Sequence, residues 1–345
     1  MARTALYDRH AALGATFTEF AGYDMPVVYG SINEEHQAVR TDAGLFDVSH
    51  MSNLWIEGPG AVATINAVTT RPIDELPVGK GQYGVILHED GTILDDVFTF
   101  RLEEERFLMV PNAGRNEVVA SHLGNHAAPE TALIDETSKW SILAFQGPEA
   151  RDRLAKLSED PLPKFHRVAT MTIAGAACLV TGTGYTGEKG VEIFVRNEDA
   201  PTVWDALVTH GKPIGLGARD TLRLEKGYAL AGNEFEGGRT PLEAGLGWLI
   251  DWDHEFLGKA ALLAQKETTH DVLMGLVQAK GVPRHGYPVC KDGEAIGVVT
   301  SGTKSPTTGQ GIALAYVRGA AVGDEVTVEV RSRHQEATLV KPPFA

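Results

Sequence analysis

Asn53-Leu54-Trp55-Ile56-Glu57-Gly58-Pro59-Gly60-Ala61 runs from a strand-like segment into a helix-like one. Ser141-Ile142-Leu143-Ala144-Phe145-Gln146-Gly147-Pro148-Glu149-Ala150 makes the same passage, with Gly147 standing 89 residues after Gly58. In both, Gly-Pro punctuates the strand, and Pro sits where a first helical turn tolerates its missing N–H. A period of that length is too long for a solenoid array, so the echo reads as a duplicated β-α unit inside one large region. Around the two copies, short runs rich in Val, Ile and Phe alternate with amphipathic stretches and Gly/Pro turns. That is the pattern of a chain mixing helices and strands.

Further along, Phe107 through Val110 follows the charged stretch Glu103 to Arg106 and predicts a strand. From about Asp271 the character changes. Ile312 to Val317 and Glu325 to Val330 read as strands, while Lys280 to Pro288 and Ser301 to Pro306 are turn-rich. Turns at that spacing predict a small barrel or sandwich. The expected fold class is α+β, with a large region over residues 1–265 and a β-rich domain over 271–345.

Composition narrows the function classes. The chain has 345 residues, 43% hydrophobic and 22% charged, which is enough apolar material for a sizeable core. With 31 Lys and Arg against 46 Asp and Glu the formal charge is −15, so the mean field repels nucleic acid and anionic membrane surfaces. No run of Lys and Arg opposes it. Neither a nucleic-acid nor a membrane partner is expected. Cys178 and Cys290 lie far apart and in no C-x-x-C spacing, which fits a reducing compartment. No apolar stretch approaches a membrane span, and Met1 to Asp8 lacks the apolar core of a secretory signal. A soluble cytoplasmic protein is expected.

Three stretches could carry chemistry. Gly91-Thr92-Ile93-Leu94-Asp95-Asp96-Val97-Phe98-Thr99-Phe100 sets two adjacent carboxylates between apolar β-like runs. Neighbours on a strand face opposite ways, so one Asp can face a pocket while the other faces solvent or a turn. A carboxylate beside apolar groups has its pKa raised by desolvation and can exchange a proton near neutrality. A hairpin with solvated acids fits the same residues. Thr183-Gly184-Tyr185-Thr186-Gly187-Glu188-Lys189-Gly190-Val191-Glu192-Ile193-Phe194 has glycines that let a backbone approach a ligand, then an alternating strand. It fits neither nucleotide-binding fingerprint. Glu192 could bond adjacent N–H donors of a heterocycle, or face water as an edge-strand acid. Gly215 to Glu225 reads as a strand end entering a helix. There Arg219 and Arg223 share a face, able to bind a carboxylate or to form structural ion pairs. Histidines are scattered and no Cys/His cluster appears, so no metal is expected. Phe46-Asp47-Val48-Ser49-His50-Met51 mixes Ser, His and Asp, but adjacent triad members cannot easily converge. It reads as a packed loop lining a pocket.

Taken in order, the segments resemble the glycine cleavage T-protein family over nearly the whole chain. They are Thr4 to Tyr7, Phe20 to Pro26, Phe46 to Met51, Gln82-Tyr83, Gly91 to Asp96, Val110 to Gly114 and Phe145 to Pro148. Gly184 to Glu192, Gly215 to Arg223, Thr240 to Glu243, Phe256 to Lys259, Pro283 to Tyr287 and Val299 to Pro306 follow. The resemblance implies a ring-like, three-part folate-binding fold with a β-rich C-terminal barrel, in which residues 1–265 form two interleaved α+β subdomains and 271–345 the barrel. It implies an aminomethyltransferase that takes its group from lipoylated H-protein, releases ammonia and passes methylene to tetrahydrofolate as co-substrate. Asp96 matches the family's reactive-centre carboxylate, Glu192 its pterin-ring carboxylate and Arg219 the arginine of its folate site. Met51, Tyr83, Asn112 and Tyr185 fall at pocket-lining positions, while Arg223 is expected to be structural.

The chain also departs from the family. Gly182 stands where an Arg commonly precedes Thr-Gly-Tyr-Thr-Gly, Lys189 where an acid is usual, and Ser52 where Gly follows Met. The stretch after Asn112 lacks the frequent Lys-Asp pair. These touch partner contacts and substrate detail more than folate binding. A relative using the same folate site to demethylate a small N-, O- or S-methylated compound is the rival expectation.

Overall fold

The strands over Leu54–Glu57, Gly190–Arg196 and Glu325–Val330 come from runs in which every second side chain is Val, Ile or Leu, since successive residues face opposite sides of a strand. A computed structural model of the chain describes residues 1–330 and 333–345. It divides into two units: residues 1–84 with 95–219, and residues 85–94 with 220–345. The large region expected over 1–265 thus contributes chain to both units. Among the described residues, no helix is long and apolar enough to cross a membrane.

In the first unit, β1 (Thr16–Phe20) and β2 (Tyr23–Val28) form a hairpin. The remaining strands are β3 (Gly44–Asp47), β4 (Leu54–Glu57), β5 (Lys80–Leu87), β6 (Ile93–Glu103) and β7 (Arg106–Val110), of which residues 85–87 of β5 and 93–94 of β6 count with the second unit. After them come β8 (Ala132–Asp135), β9 (Trp140–Gln146), β10 (Val168–Ile173), β11 (Ala176–Thr181), β12 (Gly190–Arg196) and β13 (Lys212–Ile214). They build a six-stranded sheet in the order β10-β11-β12-β9-β3-β13 and a five-stranded sheet in the order β5-β6-β7-β4-β8. A core of Leu45, Leu143, Phe145, Ile193, Val195 and Trp204, with neighbours, packs against the first sheet.

Each copy of the echo lies in a different sheet. β4 leads through Gly58-Pro59 into the helix Ala61–Val68, and β9 through Gly147-Pro148 into the helix Ala150–Leu154. Both glycines have positive φ, 105° at Gly58 and 134° at Gly147. A Cβ there would meet a backbone carbonyl, Glu130 O at 2.2 Å and Asp42 O at 2.3 Å respectively. The prolines stand before the helices, not in their first turns. Ala61 N donates to Gly58 O at 3.0 Å and Ala150 N to Gly147 O at 3.2 Å, so Pro is the second residue of a turn, where its fixed φ is favoured.

In the second unit, β14 (Val272–Gln278), β15 (Pro288–Lys291), β16 (Glu294–Lys304), β17 (Gly311–Val317), β18 (Glu325–Val330) and β19 (Arg333–Val340) close a barrel in the order β14-β17-β16-β15-β18-β19. Ala313, Ala315, Val326, Val328 and Leu339 fill it, while Ile312 and Leu314 on the other face of β17 pack on Leu224. Ser301 to Lys304, expected as turn, continues β16. A bulge after Val299 shifts the register there and leaves Thr300 and Ser301 aimed at a buried ion pair. Arg223 Nη1 lies 3.1 Å from Glu234 Oε2, both side chains essentially inaccessible. Arg223 Nη2 donates to Ser301 Oγ at 2.9 Å and Thr300 Oγ1 to Glu234 Oε1 at 2.6 Å. Ser305 Oγ and Thr307 Oγ1 donate to Glu225 at 2.5 and 2.9 Å, which fixes the turn itself.

Candidate functional site

β6 carries two adjacent carboxylates of different depth. Asp95 is fully buried, while Asp96 is half-buried. Asn112, just past β7, joins them. Its backbone N–H donates to Asp95 Oδ2 at 3.0 Å. Its amide Nδ2 lies 2.9 Å from Asp95 Oδ1, 2.6 Å from Asp96 Oδ1 and 2.9 Å from Asp96 O. Tyr83, on β5, donates its hydroxyl to Asp96 Oδ2 at 2.7 Å.

The electrostatics follow from burial and from two like charges side by side. Burial, with the neighbouring Asp96 charge, pushes Asp95 up to about 7, against the pull of the Asn112 bonds. Burial also raises Asp96, and the bonds from Tyr83 and Asn112 restrain it. Tyr83 is pushed well above its usual value by burial and by Asp96, so it stays a donor. The pair therefore exchanges a proton near neutrality.

The rest of the predicted site continues from Tyr83. Tyr83 and Tyr185 feel each other electrostatically, and the Arg219 guanidinium lies 4.8 Å from the Tyr185 ring centroid. Burial lowers the Arg219 pKa, with the Glu192 charge opposing. Arg219 Nη1 is buried and has no hydrogen-bond partner. Glu192, half-buried on β12, accepts from Thr183 Oγ1 at 2.5 Å. Met51 is half-buried, and the next residue ties it to the Asn112 turn: Ser52 Oγ donates to Asn112 O at 3.3 Å. Asp96, Met51, Tyr83, Asn112, Tyr185, Glu192 and Arg219 all belong to the first unit. Arg223 stands apart, in the ion pair of the second.

Two buried polar residues lie beside Met51: His50, read in the sequence only as part of a packed loop, and Asn53, given no role there. His50 is 3% exposed, with Nδ1 unpartnered; burial and Arg219 hold its pKa down at about 4, Asp47 opposing, so the imidazole is neutral. Asn53 is 1% exposed with both side-chain polar atoms unpartnered. Ser49, His10 and Asp47 do converge, but Ser49 Oγ donates to Asp47 Oδ1 at 2.5 Å and His10 Nε2 meets Asp47 Oδ2 at 2.9 Å. Ser49 is thus bonded to the carboxylate and not to the imidazole, and the cluster holds the loop.

A half-buried carboxylate held by two donors, a neutral imidazole and a cation with a free N–H suit a polar, nitrogen-rich ligand better than a metal or a nucleophilic mechanism. The arrangement gathers carboxylate acceptors and a cationic donor within the first unit. The comparisons agree in class. The GCVT N-terminal domain model matches residues 6–254 and the glycine cleavage T-protein C-terminal barrel domain model residues 272–345. The chain is 43% identical over 356 residues to an aminomethyltransferase of Halothermothrix orenii, covering 100% of each. It is 45% identical over 360 residues to one of Streptomyces coelicolor, covering 99% of this chain and 97% of that one. The crystal structure of the glycine cleavage system aminomethyltransferase T from Bartonella henselae superposes with a TM-score of 0.93 at 33% identity, covering 100% of this chain and 98% of that one. The chain belongs to the glycine cleavage T-protein family of aminomethyltransferases.

Proposed function

We propose that the chain takes an aminomethyl group from the dihydrolipoyl arm of H-protein, releases ammonia and passes the one-carbon unit to tetrahydrofolate. The observation that carries this reading is the grip on Asp96: Tyr83 and Asn112 each donate to one carboxylate oxygen, fixing a negative charge at one orientation. When bound, tetrahydrofolate supplies the amine nitrogens that accept the carbon. Asp96 orients such an amine and steadies the positive charge that develops as ammonia leaves. Direct proton abstraction is less economical, because the amine is already nucleophilic. Glu192 accepts from N–H groups of the pterin ring. Arg219, with its unpartnered Nη1, donates to the ligand while Tyr185 packs beneath it, and Met51 closes the wall.

In this reading residues 1–265 form the folate region and 271–345 its barrel domain. The location is cytoplasmic, which suits two cysteines that are buried and unpaired. Asp96→Asn tests the assignment. The new amide keeps a bond to Asn112 through its oxygen and can donate to the Tyr83 oxygen, so folate binding should survive. Loss of the charge should lower kcat by about 10²–10³-fold. Unchanged turnover would remove Asp96 from the chemistry.

A further inference from the structure

Phe165 is 79% exposed, an unusual position for an aromatic side chain, and the backbone around it is tightly fixed. His166 adopts the left-handed conformation, φ 56°, which residues other than Gly rarely do without being held. Three backbone bonds hold it: Gly81 N–H donates to His166 O at 2.8 Å, His166 N–H to Gly182 O at 3.0 Å and Gly182 N–H to Arg167 O at 2.8 Å. Gly182, lacking a side chain, makes the approach possible. A Cβ there would lie 2.2 Å from Lys164 O and 3.2 Å from Phe165 Cα.

From this clamped segment an aromatic surface runs inward. The Phe165 and His166 rings stack with centroids 3.8 Å apart, and His166 meets Phe98 edge-on at 5.0 Å. Phe98 stacks against Tyr83 at 6.4 Å, and Tyr83 holds Asp96. The outer end is basic: Lys164 and Arg167 are exposed, and the charges of Lys80 and Arg71 both reach His166. In a chain of net charge −15 such a local reversal marks a surface that attracts an acidic partner.

We infer that the Lys164–Arg167 segment is where an acidic carrier protein docks, and that the Phe165–His166–Phe98 surface receives the apolar lipoyl arm on its way to Asp96. This rests on the aminomethyl-transfer reading, which supplies a folded carrier with a long, flexible, largely apolar arm; the acidity of its docking face is what the basic rim adds. Aromatic faces give such an arm a sliding surface, and cations at the rim orient the carrier without touching the chemistry.

Transfer kinetics of Phe165→Ser and of the double variant Lys164→Glu/Arg167→Glu provide the test, with aminomethyl-loaded H-protein and with the same group on free dihydrolipoamide. All three side chains are exposed, so both variants should fold. Charge reversal is expected to raise KM for the loaded carrier about fivefold or more, an effect that shrinks with salt, and to leave the free-arm donor unchanged. Phe165→Ser is expected to raise KM for both donors and to leave the folate Kd unaltered. A carrier KM within about twofold of wild type in both variants would overturn the docking surface. Wild-type protein that releases no ammonia from the loaded carrier would overturn the transfer reading, and the docking surface with it. That failure appears before any variant is made.

Discussion

Asp95 and Asp96 sit next to each other and do different work. Folding raises the Asp95 pKa to about 7, so the fold favours its protonated form. The stability this gives is fully present below the usual carboxylate pKa and is lost as pH rises through about 7. Asp95→Asn stays neutral throughout, so its unfolding free energy should decline less than that of wild type between about pH 5 and pH 8. Coincident profiles for the two proteins would separate Asp95 from the titration. The alternation of a strand made the opposite facing of the two acids legible in the sequence. Depth was not legible. Period two says which face a residue takes, whereas the partner that satisfies the buried Asp95 is Asn112, which lies just beyond the next strand.

Among the elements, the Gly-Pro passages out of β4 and β9 were readable because a turn with these residues has few conformations open to it. Gly58→Ala and Gly147→Ala should each destabilise the protein by at least about 2 kcal/mol, from positive φ and the carbonyl in the way. Gly30→Ala, with open space around it, should stay within about 0.5 kcal/mol. Denaturant midpoints at constant slope provide the check, and equal effects at all three positions would contradict it. β16 was less readable. Ser301, Gly302 and Pro306 signal a turn locally, yet the strand persists to Lys304 because barrel pairing and the Glu234–Arg223 cluster outweigh local preference. The site helix Leu216–Glu225 was legible from its Gly-rich start, but the separate fates of Arg219 and Arg223 were not, since sharing a face does not fix partners.

For the molecule as a whole, the mean charge pointed away from nucleic acid but averaged away the basic rim around Phe165. Arg71 and Lys80 lie in a different part of the chain from Lys164 and Arg167, and the two pairs meet only in the fold. Likewise, barrel closure could be expected from the turn spacing of the tail, whereas residues 85–94 joining the same unit as the barrel could not, because that grouping depends on long-range packing. What the molecule does with its fixed carboxylate is best tested by one assay. Purified protein, tetrahydrofolate and aminomethyl-loaded H-protein are mixed, and ammonia and methylene-tetrahydrofolate are measured together. The two products are expected in equal amounts, both dependent on the folate. No product from the loaded carrier, alongside turnover of a small N-, O- or S-methylated compound, would contradict aminomethyl transfer and point to a demethylase built on the same pocket.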